Sequence, residues 1–151
     1  MDNRIEHHIT IKAGLDRVWE LVTRPGWWVP SVEDGAIDAT IDRTPGHQTI
    51  RENEQYGRFP VEVVAIDPPT YAAFRWASQF PGEELTPGHT TLVEFRVAQA
   101  TDAVTVTVDE SGFAELDASE DIRRAGFEDN SAGWPIELDV LRSRAEGPPA
   151  D

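Results

Sequence analysis

The sequence contains no cysteine, which excludes disulfides, thiol nucleophiles and every cysteine-ligated metal or iron–sulfur site. Basic residues are scarce. Lys and Arg together number 13 against 28 Asp and Glu, a formal charge of -15. Such a field repels phosphate backbones and anionic lipid surfaces, so neither nucleic acid nor membrane is expected as a partner. No apolar run approaches the roughly 20 residues of a membrane span. Residues Met1 to Thr10 carry charge and two histidines where a secretory leader needs an apolar stretch. Together with the missing disulfides this places the expected location in the cytoplasm. The serine nucleophile elbow, the glycine-rich phosphate loop and the dinucleotide fingerprint are all missing, so no cofactor is called for. His7, His8, His47 and His89 offer no helical i, i+4 pair, and no metal is expected.

What is present is one domain's worth of chain. At 151 residues, a folded chain buries roughly 70% of its unfolded surface and holds a core without staples. Apolar residues make up 39% and charged residues 27%, the balance of a soluble globular protein. A single domain over 1–146 and a flexible tail over 147–151 are expected, the tail being poor in apolar residues.

Periodicity sets the order of elements. Ile5, His7, Ile9 and Ile11 alternate with polar residues, which predicts a strand over 5–11. Leu15, Val18, Trp19 and Val22 then fall on one helical face, predicting a helix over 15–23 that Pro25 and Gly26 stop. Trp27, Trp28 and Val29 follow as an apolar cluster, read as a short second helical turn. Six strands are predicted next, over 36–41, 47–53, 59–66, 71–78, 90–98 and 103–110, separated by turn residues such as Asp67-Pro68-Pro69-Thr70. Short loops between them imply an antiparallel sheet. Trp134, Leu138, Leu141 and Ala145 share a face, predicting a helix over about 130–146 in which Pro135 either opens the first turn or marks a kink. Gly112 to Asp129 carries no clear period. The fold class is therefore α+β: a curved antiparallel sheet wrapped around one long C-terminal helix, with room for a small ligand between them.

This order resembles the helix-grip fold of the START and Bet v 1-like (SRPBCC) superfamily, in the arrangement β-α-α-β6-α. Within it the chain is most similar to the small bacterial single-domain members of the family named after the activator of the heat-shock protein 90 ATPase. Ile9-Thr10-Ile11 followed by Val18-Trp19, and Trp28 after the break, carry the first part of the likeness. Val64 to Pro69 with Phe74-Arg75-Trp76 carry the second, and Val93-Glu94-Phe95 with Val104 to Val108 and Ser111-Gly112-Phe113 the third. Gly133-Trp134 with Leu138 and Leu141 complete it. Gly14-Leu15, Pro45-Gly46-His47 and Pro135 depart from the family pattern. The resemblance implies a cavity for hydrophobic or lipid ligands. Co-chaperone activity is a property of larger eukaryotic members.

The residues themselves point to a pocket and to no catalytic set. Trp76 and Phe74 lie two apart on one predicted strand and share a face. Phe95 and Val106 belong to the inward faces of later strands, while Trp134 and Leu138 lie four apart on the closing helix. Trp28 joins them as the aromatic after the break. Glu110 shares the inward face of Val104, Val106 and Val108, which makes it either the polar end of the cavity, partnered by Arg75 or Arg96, or a solvated residue past the strand end. Trp27 is assigned no role. His7 reads as a satisfied buried or rim histidine. These eight residues, Trp28, Phe74, Trp76, Phe95, Val106, Glu110, Trp134 and Leu138, form the expected ligand site. The expected function is binding of a small hydrophobic or aromatic molecule as carrier, sensor or ligand chaperone. An aromatase/cyclase-type enzyme using the same cavity, and a module activating a chaperone ATPase, are the alternatives. An exposed edge strand leaves room for a homodimer.

Overall fold

A computed structural model describes residues 4–29, 41–53, 57–78, 80 and 82–147. Strand β1 (Arg4–Ile11) leads into helix α1 (Leu15–Val22). Strands β2 (Gln48–Asn53), β3 (Gly57–Asp67), β4 (Tyr71–Trp76), β5 (Thr91–Gln99) and β6 (Val104–Ser111) follow, and helix α2 (Glu120–Glu146) is the last of the described elements. The strands form one six-stranded antiparallel sheet in the order β1-β6-β5-β4-β3-β2. After β1, each strand pairs with the next along the chain, as short turns require. The first strand then closes onto the last.

Alternation is clean where β-branched residues dominate. Val104, Val106 and Val108 are fully buried between half-exposed threonines, the signature of a sheet with one covered face. In β3 the pairing slips between Val63 and Ala65, and Val64 is left exposed. Such a bulge bends its strand and increases the local twist. The covered face carries Ile5 and Ile11, Val61 and Val63, Phe74, Val93 and Phe95, and α2 packs Trp134, Leu138, Leu141 and Ala145 against it.

The predicted strand 36–41 lies outside the described residues except for Ile41, which is irregular. Two differences from the sequence reading have physical causes. In place of a second short helix, the chain makes turns in which Trp27 N donates to Arg24 O and Val29 N to Gly26 O. The C-terminal helix begins at Glu120 rather than near 130. Ser119 caps it, its hydroxyl accepting from Ile122 N at 3.2 Å, and Glu120 and Asp121 favour the positive end of the helix dipole.

Pro135 neither opens α2 nor stops it; it sits in the interior. Lacking an N–H, it leaves the Ser131 carbonyl, four residues earlier, without its helical donor. His7 supplies the missing bond, its Nε2 lying 3.0 Å from Ser131 O. This fixes the ring with its proton on Nε2 and explains why a histidine stands on the isoleucine face of β1.

Candidate functional site

The site is built on two rows of the sheet. Across the first row the register places Ile5, Glu110, Val93, Phe74 and Val63 side by side. Glu110 therefore has apolar neighbours on both flanks and is fully buried. Its partners come from elsewhere. Thr91 and Trp76, opposite one another in the next row, donate to Oε2 from Oγ1 at 2.6 Å and from Nε1 at 2.9 Å. From α2, Trp134 Nε1 donates to Oε1 at 2.9 Å, and Asn130 Nδ2 reaches both oxygens at 3.1 and 3.2 Å. Asn130 and Trp134 are one helical turn apart, so they meet the same group from one face. Burial pushes the Glu110 carboxyl above its ordinary range, opposed by the pull of these four donors.

The aromatic wall is held by the turn after α1. Arg24 grips Glu20 with two hydrogen bonds of 3.0 and 2.9 Å. Arg43 donates to Thr23 Oγ1 at 2.7 Å and to Glu20 O at 3.1 Å, and Arg51 Nε to Pro25 O at 3.0 Å. Gly26 has φ +75, and a Cβ there would stand 2.7 Å from Arg51 Cγ. Only glycine combines that left-handed turn with so close an approach. The consequence is that Trp27 and Trp28 are driven into the core together.

Trp28 becomes the hub of the cluster. Its ring centroid lies 5.5 Å from Trp76, 5.6 Å from both Phe74 and Phe95, 5.8 Å from Trp134 and 6.0 Å from Trp27. Trp27 meets Phe95 at 5.4 Å and Trp134 at 6.3 Å. These are the tilted and edge-on separations that aromatic pairs favour, each worth about 0.5–1.5 kcal/mol beyond the area buried.

The structure thus brings together six of the eight residues expected at the site: Trp28, Phe74, Trp76, Phe95, Glu110 and Trp134. Val106 and Leu138 are buried in the same core, Val106 four residues before Glu110 on β6 and Leu138 four residues after Trp134 on α2. Neither arginine expected to partner Glu110 reaches it. Arg75 Nη1 lies 3.4 Å from Thr90 Oγ1, and Arg96 pairs with Asp109 on the opposite face. Strand parity is the reason, because a sheet that turns Phe74, Trp76 and Phe95 inward turns Arg75 and Arg96 outward. Trp27, given no role from sequence, belongs to the cluster.

A curved antiparallel sheet closed by one long C-terminal helix over an aromatic interior that encloses Glu110 defines a helix-grip protein of the α+β class. The family model described as activator of Hsp90 ATPase homolog 1-like protein matches residues 12–146. The chain belongs to that family. Among solved structures it is similar to Bacillus halodurans protein BH1534, at 19% identity and TM-score 0.68, covering 96% of this chain and 100% of that one. It is also similar to the protein described as the Aha1 dimer from Colwellia psychrerythraea, at 16% identity and TM-score 0.64, covering 95% and 96%. DynU16, from the dynemicin biosynthetic locus, shares 22% identity with TM-score 0.67, over 94% of this chain and 46% of that one. None of the curated proteins matches the sequence. At these identities the structural likeness speaks for the fold.

Proposed function

We propose that this protein binds a small hydrophobic or aromatic molecule between the sheet and α2, as a carrier, sensor or ligand chaperone. The observation that carries this reading is the ring cluster itself. Trp27, Trp28, Phe74, Trp76, Phe95 and Trp134 form one connected set of ring contacts at 5.4–6.3 Å. Rigid rings with polar edges suit recognition of a flat apolar ligand, with Val106 and Leu138 extending the apolar lining.

The cyclase-type alternative would recruit Glu110 as a general acid or base. Its two oxygens already receive Thr91, Trp76, Trp134 and Asn130, and a base needs a lone pair aimed at substrate. Saturation of the carboxylate therefore favours binding over catalysis.

Titration with flat aromatic probes, followed by tryptophan fluorescence, tests the reading. Trp28→Ala and Trp134→Ala are expected to weaken uptake at least tenfold, while Trp19→Phe, on α1 outside the cluster, leaves it unchanged. No saturable binding by any probe would overturn it.

A second copy of the chain is the protein partner we propose. β1 is an edge strand, and beside it Ile136 and Val140 of α2 are exposed. They border a groove of about 530 Å³ shared with His8 and Ile9. Sedimentation of the wild type and of Ile136→Glu tests this, a monomer in both cases overturning it.

A further inference from the structure

The four tryptophans of the cluster divide into two pairs by what their indole N–H groups meet. Trp76 and Trp134 both donate to Glu110 at 2.9 Å. Trp27 and Trp28 are 6% and 4% exposed, and their Nε1 atoms have no hydrogen-bond partner among the described residues. Folded proteins pair nearly all their buried polar groups, and an unpaired one calls for a missing water, ion or ligand. Two such groups occur on consecutive rings whose centroids lie 6.0 Å apart.

Glu110 pairs with neither. An ionised carboxylate offers about four lone-pair sites, and Glu110 already takes its four donors. Among the described residues the buried side-chain polar groups left unpaired are these two donors, on rings whose positions the Arg24, Arg43 and Arg51 contacts fix.

Resting on the reading that this site takes an apolar ligand, we infer that the ligand carries a neutral hydrogen-bond acceptor, a ketone, quinone or ester carbonyl on a flat hydrocarbon body. The indole N–H groups of Trp27 and Trp28 are the donors that select it. A carboxylate ligand fits less well, because it would bring a second acid into the interior beside Glu110, and two neighbouring carboxylates resist being ionised together. A plain hydrocarbon fills the same space and leaves both donors unpaired. Selection by an acceptor is sharper than selection by an added methylene, since the unmatched ligand leaves buried polar groups without partners.

The test compares 2-acetylnaphthalene with 2-isopropenylnaphthalene, which replaces the carbonyl oxygen by a methylene and keeps the shape. Fluorescence titration gives the affinities, and the indole N–H signals of the uniformly 15N-labelled protein report each tryptophan separately. The ketone is expected to bind about tenfold more tightly than the alkene. It should move the Trp27 and Trp28 N–H signals downfield and leave those of Trp76 and Trp134 in place. Trp27→Phe and Trp28→Phe should each narrow the ratio between the probes; should either variant fail to fold, the wild-type comparison still decides. Equal affinities with unmoved Trp27 and Trp28 signals would overturn the donor role while leaving the ligand site standing. Binding of neither probe would overturn the reading of the site as well.

Discussion

Asp109 and Glu110 are neighbours on β6, both almost withdrawn from water, and the pleat sends them to opposite faces of the sheet. On the outer face Asp109 stands opposite Glu6 on one side and Glu94 on the other. Like charges in adjacent strands repel, and two arginines resolve the conflict. Arg4 Nε lies 3.0 Å and Arg96 Nη1 2.6 Å from the Asp109 carboxylate. Tyr71 adds its hydroxyl to Glu94 at 2.5 Å, and burial with that bond raises its pKa to about 12. On the inner face Glu110 meets no cation among the described residues, only hydroxyl, indole and amide donors. One carboxylate is an ion-pair strut whose partners reach into solvent; the other is a buried carboxyl answered by oriented dipoles. The difference is one of partners: oriented dipoles from fixed side chains on the inner face, exposed cations that water can replace on the outer one.

The largest effect should follow from removing the inner acid. Glu110→Ala strands Trp76, Trp134, Thr91 and Asn130 as unsatisfied donors and opens a cavity, and is expected to cost roughly 3–5 kcal/mol in a denaturant melt. Asp109→Ala releases two arginines that water can take back, at about 1 kcal/mol. Equal losses would erase the distinction between the faces.

The His7 bond to Ser131 is a second inner-face contact, this one to a neutral carbonyl acceptor. His7→Ala is expected to destabilise by about 1 kcal/mol with Pro135 in place. In a Pro135→Ala background, where the helix supplies its own donor to Ser131 O, the same change should cost little. The coupling from this double-mutant cycle measures how far the histidine compensates the proline. Additive losses would assign His7 to packing alone.

Salt separates the faces further. Asp109→Asn should lose most of its effect at 1 M salt, where the Debye length falls to about 3 Å. Glu110→Gln should keep its effect, because its donors are neutral. A salt-insensitive Asp109 would mean that the outer arginines contribute geometry rather than charge.

Much of this was legible in the sequence. Alternation in Val104 to Val108 put Glu110 on the inner face provided the strand ran that far, which it does to Ser111, and the spacing of Trp134 and Leu138 placed them on the helix face that closes over the sheet. The expectation that Arg75 or Arg96 partners Glu110 ran against the same alternation, since each neighbours inward aromatics on its own strand. Trp27 was hidden for another reason. It lies in a turn, where no period assigns a face, and its burial depends on Gly26 and on Arg51 from a distant strand. The first part of α2 was obscure because its exposed, acidic surface leaves few buried residues to mark a stripe, Gly126 being one. Ser119 followed by Glu120 and Asp121 was the signal for its start.

The smallest effect belongs at the rim, where His89 stacks on Phe80 with centroids 4.0 Å apart. Its Nδ1 lies 2.8 Å from Glu83 and its Nε2 3.1 Å from Asp117 O. A neutral imidazole has one N–H and satisfies one of these acceptors; the cation satisfies both. The hydrogen bond to Glu83 is the main cause that raises the pKa of His89, with Asp117 adding to it through its carbonyl and its charge. A histidine whose folded pKa exceeds its unfolded value contributes its full stability below the unfolded value of about 6.5. That contribution is lost as pH rises through the folded value. Thermal melts from about pH 5.5 to 8.5 should therefore show the wild type losing its advantage over His89→Gln across the neutral range, with most of the advantage surviving at the acid end. A difference in melting temperature that does not change with pH would mean that the ring holds its place by stacking on Phe80, and that charge at the rim follows neither the ion pairs of the outer face nor the dipoles of the inner one.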